Sequence, residues 1–239
     1  MKPRSPELRH AYHHGDLRNA LLSKALELVA ERGPEGFSLR EAAREVGVSP
    51  GAAYRHFADK AALLTALAID GHARLAAAME RAVTRLPGPA GTKVRAVAAM
   101  MAIGEAYVEH AVRHPSHFRV MFGPCIVEEG FAPGCAPSGR DAFQILVDAL
   151  DGLVAAGVVG PEARAGAEIG AWSGVHGLAA LLVDGALELP ARQRVDALRA
   201  VTRTFLLGLG CDPALLPPPG ARVHADPRQP RGTTRRGIS

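Results

Sequence analysis

Apolar residues recur along this chain at the three- and four-residue spacing of helices, and the alternation expected of strands is scarce. Leu17, Leu21, Ala25 and Leu28 form the first stripe. Gly33-Pro34 closes it, because glycine caps a helix and proline cannot continue one. Ser38 and Glu41 then have the spacing of a capping box, in which each side chain takes one free backbone N–H. The short helix they open runs to about Val46, and Gly47 turns the chain. Ser49 caps a further helix with Pro50 at its first position, where a missing N–H costs nothing. Asp59 starts a long helix carrying Leu63, Leu67, Gly71 and Leu75, which ends near Leu86. Pro87-Gly88-Pro89 reads as a linker and a domain boundary. Beyond it the pattern predicts helices over 92–113, 116–122, 139–157, 161–187 and 191–209, with a Gly- and Pro-rich loop over 123–138. From Gly210 onward the chain is rich in Pro, Gly and Arg without apolar period, and a disordered tail is expected. The predicted fold class is all-α, and no internal repeat is visible.

Composition narrows the class further. The chain has 239 residues, 48% hydrophobic and 22% charged, which suits one large globular domain or two small ones and excludes global disorder. Three cysteines are too few, and odd in number, for a disulfide scaffold, so a reduced cytoplasm is expected. The N-terminus lacks an apolar core of the signal-peptide kind. The apolar run Ile169 to Val183 is shorter than the ~20 residues a bilayer requires, so it reads as a core helix and no membrane is expected as a partner. The net charge is only +4. Its excess lies at the two ends of the chain, while residues 87–209 are slightly acidic.

The segment from Ser38 to Phe57 carries the function. Two short helices joined by a glycine turn are the grammar of a helix-turn-helix. Gly51 and Ala52 are small enough to let the second helix approach a groove closely. Tyr54, Arg55 and His56 offer hydrogen bonds to phosphates or base edges, and arginine is the commonest reader of guanine. The helix N-termini at Ser38 and Ser49 suit phosphate. The run Gly51-x-x-Tyr54-x-His56-Phe57-x-Asp59-Lys60-x-x-Leu63 resembles the recognition-helix signature of the tetracycline-repressor (TetR) family of bacterial transcription regulators. Ala42-Ala43-x-x-Val46-Gly47-Val48-Ser49 resembles the helix and turn before it, and the similarity extends from about His13 to Leu67.

That resemblance implies Ser38 and Tyr54 on phosphates, with His56 and Lys60 also on the DNA backbone. It places Gly51, Ala52 and Arg55 nearest the bases. Ser49, Pro50 and Arg40 belong to the same candidate surface, although Arg40 and Arg44 suit a solvated face equally well. Phe57, Leu63, Val46 and Leu39 read as core, and Tyr54 as half core. The implied organisation is an N-terminal arm over 1–14, a three-helix DNA-binding domain over 15–75 with its helix-turn-helix at 38–57, a C-terminal helical domain over 76–209, and the tail over 210–239. With Arg4 and Arg9 the arm could reach DNA; alternatively Asp16 merely caps the first helix.

In the second half, Ala171-Trp172-Ser173-Gly174-Val175-His176-Gly177 resembles the Trp-His-Gly (WHG) type of C-terminal domain within that family, and His114-Pro115-x-x-Phe118-x-x-Met121-Phe122 resembles another part of it. Trp172 and His176 share a helix face. With Phe118, Met121, Phe122 and Tyr107 they could line a ligand cavity with apolar walls and few polar handles, or they could be packed core. Gly166, Gly170 and Gly174 recur every four residues, which suggests close approach by another helix. The last two helices are therefore candidates for a homodimer interface.

Other chemistry is weak. His110, His114 and His117 have possible metal spacing, but no carboxylate or cysteine nearby in sequence completes a shell, and Pro115 interrupts the helix. Cys125, Cys135 and Cys211 suggest no redox motif, and no nucleophile elbow or phosphate loop is present. No metal, cofactor or enzymatic activity is expected. The leading expectation is a ligand-responsive repressor that binds a pseudo-palindromic double-stranded DNA operator as a homodimer and responds to a small-molecule effector. A helical small-molecule-binding protein or enzyme without DNA binding, and a DNA binder without a ligand, are the alternatives.

Overall fold

The structure is a computed structural model that describes residues 14–123 and 133–218. The arm with Arg4 and Arg9, Cys125, and the tail beyond residue 218 lie outside the described residues. Among those described, nine α-helices and two short 3-10 turns occur, and no strand. The helices are α1 (His14–Arg32), α2 (Leu39–Val46), α3 (Pro50–Tyr54), α4 (Lys60–Thr84), α5 (Lys93–Arg113), α6 (Pro115–Met121), α7 (Ala142–Ala155), α8 (Ala167–Val183) and α9 (Ala191–Gly208).

The short-range signals fix the first four helices. Ser38 Oγ accepts from the Glu41 N–H at 3.1 Å, Ser49 Oγ from the Ala52 N–H at 3.3 Å, and Asp59 Oδ1 from the Ala62 N–H at 2.7 Å. Gly33 and Gly47 end α1 and α2 at φ of 75° and 82°, a left-handed conformation costly to any residue with a Cβ. Two apolar cores result. Leu21 and Leu28 of α1, Leu39 of α2, Ala53 of α3 and Phe57 meet Leu63, Leu64 and Leu67 of α4 in the first. Leu75 and Met79 of α4 meet Met100 and Ile103 of α5, Leu150 and Leu153 of α7, and Leu206 of α9 in the second. Burying each leucine is worth roughly 1.5–3 kcal/mol. One helix thus feeds both cores. α4 is also long and apolar enough, by length and composition, to cross a membrane, yet eight of its residues are buried in these cores or at Gly71 between them.

Several expectations are corrected. Val46 is half-buried at the edge of the first core instead of inside it. Asp16 falls within the first turn of α1, which begins two residues earlier. Pro87-Gly88-Pro89 joins two helices of the same core. The helix expected over 161–187 divides into a 3-10 turn at Pro161–Ala163 and α8, because Gly166 takes φ 73° at the N-terminal end of α8. Gly166 therefore leaves the glycine stripe. Gly170 and Gly174 keep it, and the close neighbour is α9 of the same chain. A Cβ on Gly170 would stand 3.3 Å from Phe205, and one on Gly174 3.1 Å from Val201. Past Gly210 the chain continues as ordered structure, since Cys211 and Leu216 are buried on the second core around a 3-10 turn at Pro213–Leu215. Pro115 does end α5 and open α6, with His114 at the junction.

Candidate nucleic-acid interface and ligand cavity

α2, the Gly47 turn and α3 present one continuous polar surface. Ser38, Arg40, Ser49, Pro50, Gly51, Tyr54 and Arg55 are exposed, while Ala52, His56 and Lys60 are half-buried along its edge. A Cβ on Gly51 would meet nothing within 4 Å, so that position faces open space. Arg40, Arg44 and Arg55 make no ion pair among the described residues, leaving three guanidinium groups available to an anionic partner. Lys60 differs. Its Nζ is 3.3 Å from the Glu35 carbonyl oxygen, 3.6 Å from the Glu35 carboxylate and 5.5 Å from the centre of the Phe37 ring. It fastens the start of α4 to the α1–α2 connection. Glu41 is held below the usual carboxylate range by Arg32, 2.6 Å away, and by the Ser38 N–H, which completes the capping box.

The second core encloses a cavity of about 530 Å³, within the size range of small-molecule sites. Its walls come from α4, α5, α7, α8 and α9, together with Met121 and Phe122 at the end of α6. They are mainly aliphatic and aromatic. Phe143 and Trp172, edge to face at 5.9 Å between ring centres, are both partly exposed. Tyr107 is the polar node. Trp172 Nε1 donates to its oxygen at 3.3 Å, and His176 Nδ1 lies 2.8 Å from the same oxygen. Burial keeps the Tyr107 hydroxyl protonated and lowers the His176 pKa. The Trp172 N–H thus donates to the Tyr107 oxygen, and the Tyr107 hydroxyl shares a second hydrogen bond with Nδ1 of the His176 ring.

Of the six expected ligand residues, Tyr107, Met121, Phe122 and Trp172 line the cavity. Phe118 and His176 stand behind that wall, stacked at 5.2 Å between ring centres, and hold Tyr107 in place. Three polar wall residues escaped the sequence: His72, Asp141 and Thr202. His72 lies on α4 and Thr202 on α9, while Asp141 caps α7, and no local motif marks them.

Cavity and helix-turn-helix meet at α6. Met121 lines the cavity, whereas Val120 is buried in the first core. The same helix reaches α4 through His117 Nε2, 3.1 Å from Asp70 Oδ2. It reaches the end of α8 through Arg119, whose guanidinium donates to the Val183 carbonyl at 2.8 Å.

Comparison with known proteins decides the family. Residues 21–67 match the family described as bacterial regulatory proteins, tetR family, and residues 100–205 match tetracyclin repressor-like C-terminal domains. The chain belongs to the TetR family. A solved protein of unknown function from Rhodococcus sp. RHA1 is 35% identical, with a TM-score of 0.66, over 84% of this chain and 99% of that one. The TetR family regulator PfmR from Thermus thermophilus is 22% identical, with a TM-score of 0.58, over 79% of this chain and 98% of its own. A tetR-family regulatory protein from Rhodococcus RHA1 is also 22% identical, with a TM-score of 0.60, over 82% and 97%. No curated protein matches the chain. As a TetR family member it is a DNA-binding transcriptional regulator with an N-terminal helix-turn-helix and a helical C-terminal domain. The C-terminal match contains Trp172, His176 and Gly177, and the N-terminal match contains the whole polar surface from Ser38 to Lys60.

Proposed function

We propose that this TetR family member is a ligand-responsive, non-enzymatic repressor that binds a pseudo-palindromic operator as a homodimer in the cytoplasm. One observation carries the ligand response: Val120 and Met121 are adjacent, yet one belongs to the core beneath the recognition helix and the other to the cavity wall. A ligand that displaces Met121 therefore acts on the packing that orients α3. In this proposal Gly51, Ala52 and Arg55 meet the bases. Ser38, Arg40, Ser49, Pro50, Tyr54, His56 and Lys60 meet the sugar-phosphate backbone. The proposed organisation is an arm over 1–14, a DNA-binding domain over 15–75, and a ligand-binding and dimerisation domain that begins at 76 and extends past 209, since Cys211 and Leu216 pack on its core. Exposed apolar residues on α8 (Ile169, Leu181) and α9 (Val195, Leu207) support dimerisation through these two helices. The two recognition helices would then occupy half-sites about 34–36 Å apart. A ligand that favours another spacing lowers operator affinity, and DNA must lower ligand affinity by the same factor.

The test begins by selecting bound sequences from random DNA. The selected site should be a pseudo-palindrome bound by two chains, with affinity that falls as salt rises. Absence of sequence-selective binding at low salt would overturn the DNA assignments. Operator affinity unmoved by any ligand that fills the cavity would overturn the switch.

A further inference from the structure

We propose that the cavity takes a lipophilic monocation, an ammonium group on an aromatic or aliphatic body, whose charge pairs with the carboxylate of Asp141. This identifies the class of effector, and it rests on the cavity being the effector site. Among the described residues, no lysine or arginine lines the cavity, and Asp141 is the one carboxylate in its wall. It stands at the start of α7 and is half-buried. Its Oδ1 accepts from the Gln144 N–H at 2.7 Å and so caps the helix. Its Oδ2 has no partner among the described residues and is not one of the sealed polar atoms of the structure, so it remains accessible. The neighbouring Arg140 does not neutralise it, because that guanidinium is held by Glu80 at 2.8 Å and by Asp148 at 2.9 Å. An uncharged ligand closing over Asp141 would strand a carboxylate against apolar surface, and an anion would add repulsion. An ammonium group removes both penalties.

The rest of the wall suits the same ligand. His72, Phe122, Trp172 and Phe143 form an arc of rings whose centres are 5.4, 6.4 and 5.9 Å apart in that order. Both ends of the arc lie by Asp141. Its charge acts on the His72 ring, and Phe143 follows it by two residues in the first turn of α7. Neighbouring rings meet at interplanar angles of 74°, 56° and 67°, so no parallel stack within the arc covers a ring face. Aromatic faces carry the negative side of the ring quadrupole and attract a cation within about 6 Å. His72 adds no competing charge, since burial lowers its pKa and leaves the ring neutral at neutral pH. Tyr107 is engaged by Trp172 and His176, and Thr202 Oγ1 is sealed in the α5–α9 contact beside Gly104.

Two sets of probes, each an ammonium, an alcohol and a carboxylate on the same body, test the proposal by calorimetry on the full chain at neutral pH. One set is decyltrimethylammonium, decanol and decanoate; the other is naphthylmethylammonium, naphthalenemethanol and naphthoate. At least one ammonium should bind about tenfold or more tightly than its alcohol, with its carboxylate weakest of the three. Binding should shift the emission of Trp172, the sole tryptophan, which places the probe in the cavity. Asp141→Asn keeps a side-chain oxygen for the cap and removes the charge. It should weaken the ammonium about tenfold, to the level of the alcohol, while the alcohol's affinity and the Tm stay as in wild type. The ranking of ammonium over alcohol in the wild-type chain stands independently of that variant's folding. The proposal is overturned if neither ammonium binds up to its solubility or micelle limit, or if alcohol or carboxylate binds as tightly. It is also overturned if ammonium binding leaves the Trp172 emission unmoved, or if folded Asp141→Asn binds the ammonium as tightly as wild type. Titrating operator DNA with the bound ammonium keeps the two ideas apart. Asp141-dependent binding that leaves DNA affinity unchanged sinks the effector reading and leaves the ligand class standing.

Discussion

Gly71 on α4 faces Met121 on α6 so closely that a Cβ at Gly71 would stand 2.6 Å from the Met121 sulfur and 2.8 Å from its Cγ. The glycine lies between the residues that α4 gives to the first core and those it gives to the second. It is what lets α6 settle against α4 at that level. Gly71→Ala gains ~1 kcal/mol of helix propensity but overpacks the contact by about 1–3 kcal/mol. The net expectation is a loss of up to about 2 kcal/mol in urea unfolding, together with an altered response of operator affinity to ligand. Met121→Ala in the same chain should recover most of that loss. Strictly additive effects in the double-mutant cycle would show that the contact does not set the approach of the two helices.

Arg55 and Lys60 should behave differently, because only one of them is free. Arg55→Ala removes an exposed guanidinium at the end of α3 and should cost about 1–3 kcal/mol at a selected site, with a smaller loss on random DNA. Lys60→Ala should weaken both kinds of site and flatten the salt dependence. It also releases Glu35 and Phe37, so a small drop in Tm should accompany it. Equal losses on both DNAs for Arg55→Ala would remove that residue from base reading.

The legible parts of this fold are those whose cause lies within a few residues. Ser38 with Glu41, Ser49 with Pro50, and Gly47 each act over one helical turn, so the helix-turn-helix could be read directly. Trp172 and His176 could be placed on one face for the same reason. Their common partner could not be fixed, because Tyr107 is 65 and 69 residues away from them. The same limit hides Thr202 as a wall residue, because its place there depends on how α9 packs against α5. Gly166 failed for a different reason. Its spacing matched the stripe, but its left-handed φ ends the helical run instead of continuing it. Cys211 and Leu216 carry too few apolar neighbours to signal burial, and only the C-terminal core supplies the rest of the contact.

Tyr107→Phe tests the polar node directly. The substitution preserves the ring, which is edge to face with Phe118 at 6.4 Å between centres. It removes the acceptor of the Trp172 N–H and the hydrogen-bond partner of His176 Nδ1. Leaving such groups unmatched costs about 1–3 kcal/mol, which in a chain of this size lowers Tm by several degrees. Trp172 is the sole tryptophan of the chain, so its emission reports the change without a label. An unchanged emission maximum together with an unchanged Tm would mean that the hydroxyl holds neither neighbour.

Acid stability should follow His110. This residue of α5 is 6% exposed, and its Nε2 lacks a hydrogen-bond partner. Burial first, and then the positive charge of His114, His117, Arg74 and His72, pushes its pKa down to about 4. In the unfolded chain a histidine titrates near ~6.5. Between those values the unfolded chain binds the proton and the folded one refuses it, so stability must fall as the pH drops. The contribution is complete above about pH 6.5 and is lost progressively toward about pH 4, on the order of 3 kcal/mol for this one group. Burial lowers the pKa values of His72, His117 and His176 as well, which steepens the same limb. His110→Gln cannot take up a proton, so urea midpoints measured from about pH 7.5 to about pH 5 should slope less for that variant than for wild type. Parallel slopes would place the acid sensitivity on the other three histidines.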